Sequence, residues 1–162
     1  MDAATTKTFA AQALNAVLPE VYSTLTGFAG RDDFESVIKQ VFGTTYDGAA
    51  IEALRQQWLA GDFSALPQLE ILPGEQLQGA NAAYAGEKNT IYFSSDFLNQ
   101  YAGNAEAVRS VFLEEIGHSV DWKINAVDTP GDEGELFAGL VQGITWSASK
   151  IEQMKQEMML PF

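Results

Sequence analysis

Leu113-Glu114-Glu115-Ile116-Gly117-His118-Ser119-Val120-Asp121 is the stretch on which the fold of this chain turns. Val108, Val111, Phe112, Ile116 and Val120 recur around it at helical spacing, and Asn104 stands where an N-cap belongs. The pattern predicts a long helix over about 105–124. On it, Glu114 and His118 are four residues apart and project from one face, about a turn from each other. Two side chains so placed can grip one metal ion. Glu115 lies about 100° round the helix and can reach water at such an ion. Gly117 leaves room for close approach of another backbone. A third ligand has to come from elsewhere, and Asp132-Glu133-Gly134-Glu135 at the start of the next helix offers candidates.

Other readings of these residues stand beside the metal site. A Glu–His pair at this spacing is a common surface ion pair, and His118, the single histidine, can be a satisfied core residue. Glu133 and Glu135 suit the first turn of a helix by the dipole, and Asp128 and Asp132 suit caps. Trp58, Trp122 and Trp146 read as core or rim, Tyr84 and Tyr92 as strand packing.

Outward from the motif, residues 6–28 carry Phe9, Ala13, Leu14, Val17, Val21, Leu25 and Phe28 at helical spacing. Pro19 predicts a kink or break there, and Gly27 and Gly30 an end. Asp32 and Glu35 form a capping-box pattern ahead of Phe34, Val37, Ile38, Val41 and Phe42. Asp47 caps a third helix, with Ile51, Leu54, Trp58 and Leu59 on one face, and 61–67 is a connector. Leu69–Leu72 is a strand stopped by Pro73-Gly74; Ala82–Ala85 and Thr90–Phe93 flank a hairpin turn at Gly86–Asn89. Residues 94–100 form a short helical or irregular link. Gly131 and Asp132 precede a helix with Leu136, Phe137, Leu140, Val141 and Ile144, and the tail from Ser149 is helical and polar. The fold class expected is α+β, mostly helical, with a small two- or three-stranded sheet and the motif helix at the centre. One domain is expected over 1–162, its helical N-terminal part covering 1–66 and its strands, motif helix and C-terminal helices 67–162.

Composition narrows the function classes. Nine Lys and Arg face 22 Asp and Glu, a formal net charge of −13 on 162 residues. That field repels phosphate backbones and anionic headgroups, so no nucleic-acid or membrane partner is expected, whereas divalent cations are attracted. Apolar residues make up 46% of the chain, enough for a packed core. The absence of cysteine excludes disulfides and thiolate metal sites. The first residues lack the charged and apolar regions of a signal peptide, and no apolar run is long enough for a membrane span.

The motif resembles the active-site helix of zincin metallopeptidases, His-Glu-x-x-His, with Glu114 in place of the first histidine. The resemblance implies that Glu115 is the general base and that Glu114 and His118 are metal ligands. It also implies a third ligand at Glu135, since in gluzincin-like members a Glu followed three residues later by Ala supplies it and Ala138 matches; Glu133 is the substitute. Strands resembling 82–85 and 89–93 commonly precede the helix in small zincins. The edge strand there would hold an extended peptide through Ala82, Ala83 and Tyr84.

A wider resemblance rests on Phe42-Gly43-Thr44, Ala60-Gly61-Asp62-Phe63, Ile71-Leu72-Pro73, Leu113 to His118 and Asp128 to Gly134. These are similar to an N-terminal domain of cyanobacterial secreted proteins described as calcium-binding or hemolysin-like, which also reads Glu-Glu rather than His-Glu. It implies an extracellular location reached by a C-terminally signalled route.

The function expected is a metal-dependent peptidase-like domain in which Glu115 activates water at the metal, acting on peptide or protein substrates. The cofactor expected is one divalent ion, zinc first, with manganese, iron or calcium as alternatives. A carboxylate in place of an imidazole lowers the ion's Lewis acidity and suits the harder cations. Two alternatives accompany it: an inactive zincin-fold module for binding or secretion, and a calcium-binding module.

Overall fold

The three short apolar runs form a three-stranded mixed sheet: β1 (Gln68–Leu72), β2 (Ala82–Ala85) and β3 (Thr90–Ser94), in the order β1-β3-β2. The computed structural model describes residues 3–127, 132–144 and 147–157. β3 is central, and its Ile91 and Phe93 are fully buried. β1 runs parallel to β3, with Leu69 opposite Ile91 and Ile71 opposite Phe93. β2 runs antiparallel, with Tyr84 opposite Ile91 and Ala82 opposite Phe93, and forms one edge of the sheet. A 3-10 turn at Gly86–Lys88 joins β2 to β3 and ends on Asn89 at φ 45°. Asparagine tolerates that left-handed conformation, and here its Oδ1 also accepts a hydrogen bond from the Tyr84 hydroxyl at 2.9 Å.

Around the sheet lie α1 (Ala3–Ala29), α2 (Phe34–Phe42), α3 (Gly48–Leu59), α4 (Ser95–Gln100), α5 (Ala105–Ile124), α6 (Glu133–Val141) and α7 (Ala148–Glu157). α5 packs against α1, α3, α6 and β2, so the motif helix is the central element. Its buried Phe112, Leu113, Ile116 and Val120 join Phe28, Trp58, Phe93 and Phe137 in one core. The Asn104 side chain accepts from the Ala107 N–H and starts α5 at the residue its sequence indicates; Asp47 caps α3 in the same way, accepting from Ala49 and Ala50.

Several local expectations are corrected. Pro19 neither breaks nor ends α1, because Ala10, Leu14 and Val17 before it and Val21, Leu25 and Phe28 after it are all buried in the same core. That burial outweighs the lost hydrogen bond. Gly27 lies inside the helix, which closes at Ala29 before Gly30. Asp32 and Glu35 do not form a capping box: Asp33 stands at the N-cap of α2, its side chain accepts no capping hydrogen bond, and it instead accepts paired bonds of 2.8 Å from Arg31. Phe9, Leu59 and Ile144 are exposed rather than inward. The readings on Asp128, Gly131 and Trp146 lie outside the described residues. Among the described residues no helix is long and apolar enough to cross a membrane.

Candidate metal centre

Two glycines decide how the motif helix meets its neighbour. α6 crosses α5 with Gly134 against Gly117: a Cβ on Gly117 would lie 3.1 Å from the Gly134 Cα and 3.0 Å from the Phe137 Cβ. A Cβ on Gly134 would lie 2.8 Å from the Glu114 carbonyl oxygen and 2.7 Å from His118 Nε2. Without these side chains the helices come together, and the first residue of α6, Glu133, arrives beside His118. Asp132 caps α6 from its N-terminus, accepting from the Glu135 N–H.

Glu133 is only 6% exposed and its Oε1 is 2.8 Å from His118 Nδ1. Its second oxygen, Oε2, is buried with no hydrogen-bond partner. A buried carboxylate oxygen without a donor or cation is costly, and such atoms are rare in folded proteins. Ligand atoms of Glu114, Glu115 and His118 lie within 4.8 Å of one another on the adjoining face of α5. Of the residues singled out from sequence, these three and Glu133 are therefore brought together. Glu135 is outside that group; two residues on from Glu133 it points to another side of α6, and its charge acts on Glu114.

Burial pushes the Glu114 carboxyl up to about 7, helped by the charges of Asp132, Glu135 and Glu133 and opposed by His118. Burial likewise pushes Glu115 up to about 7, with His118 opposing and the neighbouring carboxylates adding to it. For His118 burial works downward, but the Glu133 bond and the charges of Glu115, Glu133 and Glu114 outweigh it and carry the imidazole up to about 9. The metal-free centre thus holds protons at neutral pH. A ligating imidazole must be neutral and a ligating carboxylate ionised, so any metal ion taken up by this group would have to displace them. The affinity for such an ion is expected to rise about tenfold per pH unit up to about pH 9, where His118 has lost its proton, and more steeply below about pH 7. Competition with a chromophoric chelator across that range measures it, and a flat profile would remove His118 from the ligand set.

Ala82, Ala83 and Tyr84 of the edge strand line a cleft of about 430 Å³ together with Glu115, His118 and Glu133. Glu114 is not among its described lining residues. Three further residues line it that the sequence reading did not assign to the site: Gly86, Asp121 and Trp122. Asp121 and Trp122 follow His118 by three and four positions, so the helical periodicity that paired Glu114 with His118 also points to them. Asp121 is 2% exposed and accepts from the Asn125 side chain at 2.8 Å; Trp122 is 52% exposed. A larger cavity of about 500 Å³ lies where α1, α5 and the end of α6 meet, but its two arginines are engaged. Arg31 is held by Asp33 and the Leu140 carbonyl, Arg109 by Glu20 and Gln142.

Comparison of the chain with protein-family models, curated proteins and solved structures found no match.

Proposed function

We propose that this chain is a metal-dependent, peptidase-like domain of zincin type, in which Glu114 and His118 hold one divalent ion, Glu133 orients His118 from its other nitrogen, and Glu115 is the base. The observation that carries this reading is the Glu114–Glu115–His118 group, whose ligand atoms lie within 4.8 Å of one another. Two features fit an ion. A positive charge there would offset the buried carboxylate of Glu133, whose Oε2 has no partner, and Gly134 carries no Cβ to crowd His118 Nε2. Glu133 Oε1 holds the imidazole by Nδ1, as partners of metal-bound histidines do. Zinc is the first choice of ion. With more carboxylates than imidazoles around it, manganese, iron and calcium compete with it.

A bound ion would acidify water and polarise a carbonyl in the cleft. Glu115 lies in that cleft, nearly buried, and would take a proton from the attacking water and return it to the departing amine. β2 offers the unpaired edge of the sheet to an extended backbone, which would lie along Ala82–Tyr84. The resemblance to secreted domains supports an extracellular setting. The carboxylate-rich donor set is also what a zincin-fold module retaining a metal without hydrolysis would carry, and Glu115 separates the two, since a scaffold does not require a base in the cleft.

Calorimetric zinc titration tests the centre. Wild type should take up one zinc per chain, Glu133→Gln should bind roughly 10–100-fold more weakly, and His118→Ala should lose binding. Equal uptake by all three would leave an ion pair and no metal site.

A further inference from the structure

Trp122 is a large aromatic side chain left half in water at the mouth of the cleft. Its position is built in rather than incidental. A Cβ on Gly86 would lie 2.3 Å from the indole Cδ2 and 2.4 Å from Cε2, so the turn after β2 presents bare backbone to the ring. One face of the indole rests on that turn, and its exposure of 52% leaves the rest of the ring to whatever enters the cleft. The two arginines that sit over aromatic rings in the described residues use Phe28 and Phe34, not Trp122.

Charge identifies what should enter. Glu115, Asp121 and Glu133 line the cleft; its described lining contains neither lysine nor arginine, and its histidine, His118, is paired with Glu133. Glu133 contributes a buried oxygen with no partner, and the whole chain carries −13. An ion at His118 would offset part of that charge, and the net −13 of the chain keeps the surroundings acidic when the cleft is loaded. Such a field concentrates cations and turns away acidic peptides. A guanidinium or ammonium over tryptophan is the strongest of the cation–aromatic pairs.

We infer that the cleft selects extended peptides bearing an arginine or lysine whose side chain lies over Trp122. A backbone paired with β2 would bring a side chain to the ring near Gly86, where the strand ends. This rests on the peptidase-like reading above for the extended pose, though not for the charge preference.

The test uses fluorescein-labelled peptides of one length that differ at a single position, Arg, Leu or Glu. Binding to Glu115→Gln protein, which should not cleave them, is followed by anisotropy with and without zinc. The Arg peptide should bind at least about tenfold more tightly than the Glu peptide. Trp122→Ala should weaken the Arg peptide roughly three- to thirtyfold while leaving the Glu peptide unchanged, and Trp122→Phe should fall between. Equal affinities, a preference for Leu, or indifference to Trp122→Ala would overturn the inference. Zinc uptake by the wild-type protein keeps the two claims apart. A Trp122-dependent Arg preference with no zinc uptake by wild type would uphold the ligand class and sink the peptidase-like reading; zinc uptake without that preference would overturn the inference and leave the metal centre standing.

Discussion

On the peptidase-like function proposed above, Glu115→Gln should lower peptide hydrolysis by about 10²–10⁴-fold while metal content and fold are retained. The amide has the carboxylate's size and fills the same nearly buried position, but it cannot take the proton from water. It also removes a charge from a place where burial already raises the carboxyl to about 7, so the variant should be at least as stable as wild type above that pH. The sign follows from the direction of the shift. A carboxyl whose folded pKa exceeds its unfolded value gives stability that is present at low pH and lost as pH rises through about 7, and Gln has no such loss. Turnover of a peptide library and elemental analysis of the purified variant are the measurements. Unchanged turnover would reject Glu115 as the base. Loss of zinc together with activity would make it a ligand instead, as its distance to Glu114 and His118 allows.

The second large effect is expected at Gly134. Gly134→Ala places a methyl group 2.7 Å from His118 Nε2 and 2.8 Å from the Glu114 carbonyl oxygen, closer than atoms can stay. The carbonyl belongs to the α5 backbone and cannot move aside, so α6 must shift, and Glu133 moves away from His118 with it. Overpacking of this kind costs about 1–3 kcal/mol, partly offset by the higher helix propensity of alanine. Zinc affinity should collapse even where the fold survives. Gly27→Ala is the control: it is also a helical glycine, but nothing lies within 4 Å of its added Cβ, so stability should hold or rise. Thermal unfolding and zinc titration of both variants check this. Wild-type zinc binding by Gly134→Ala would mean that the α5–α6 crossing does not build the centre.

Glu133 and Glu135 show what the sequence left open. Both are acids in the first turn of α6, and the resemblance to gluzincin-like enzymes points to Glu135, with Ala138 three residues on. The structure brings Glu133 to His118, because the glycine pair sets the height at which α6 crosses α5. Pro19 teaches a related lesson. Its local penalty was readable, but the buried residues on both sides that overrule it belong to a core assembled from other elements.

Features that depend on neighbours along the chain were determined by the sequence alone. Asn104 and Asp47 cap where their side chains can reach the next free N–H groups, the spacing of Glu114, Glu115 and His118 puts them on adjoining faces of one helix, and short apolar runs bounded by turn residues make the three strands. Which acid meets His118, which strand lies across the cleft, and that Asp121, Trp122 and Gly86 share it were decided by tertiary structure. Those outcomes rest on contacts between residues far apart in sequence, where the fit of a bare backbone against a ring or a helix matters, and no local pattern records that fit.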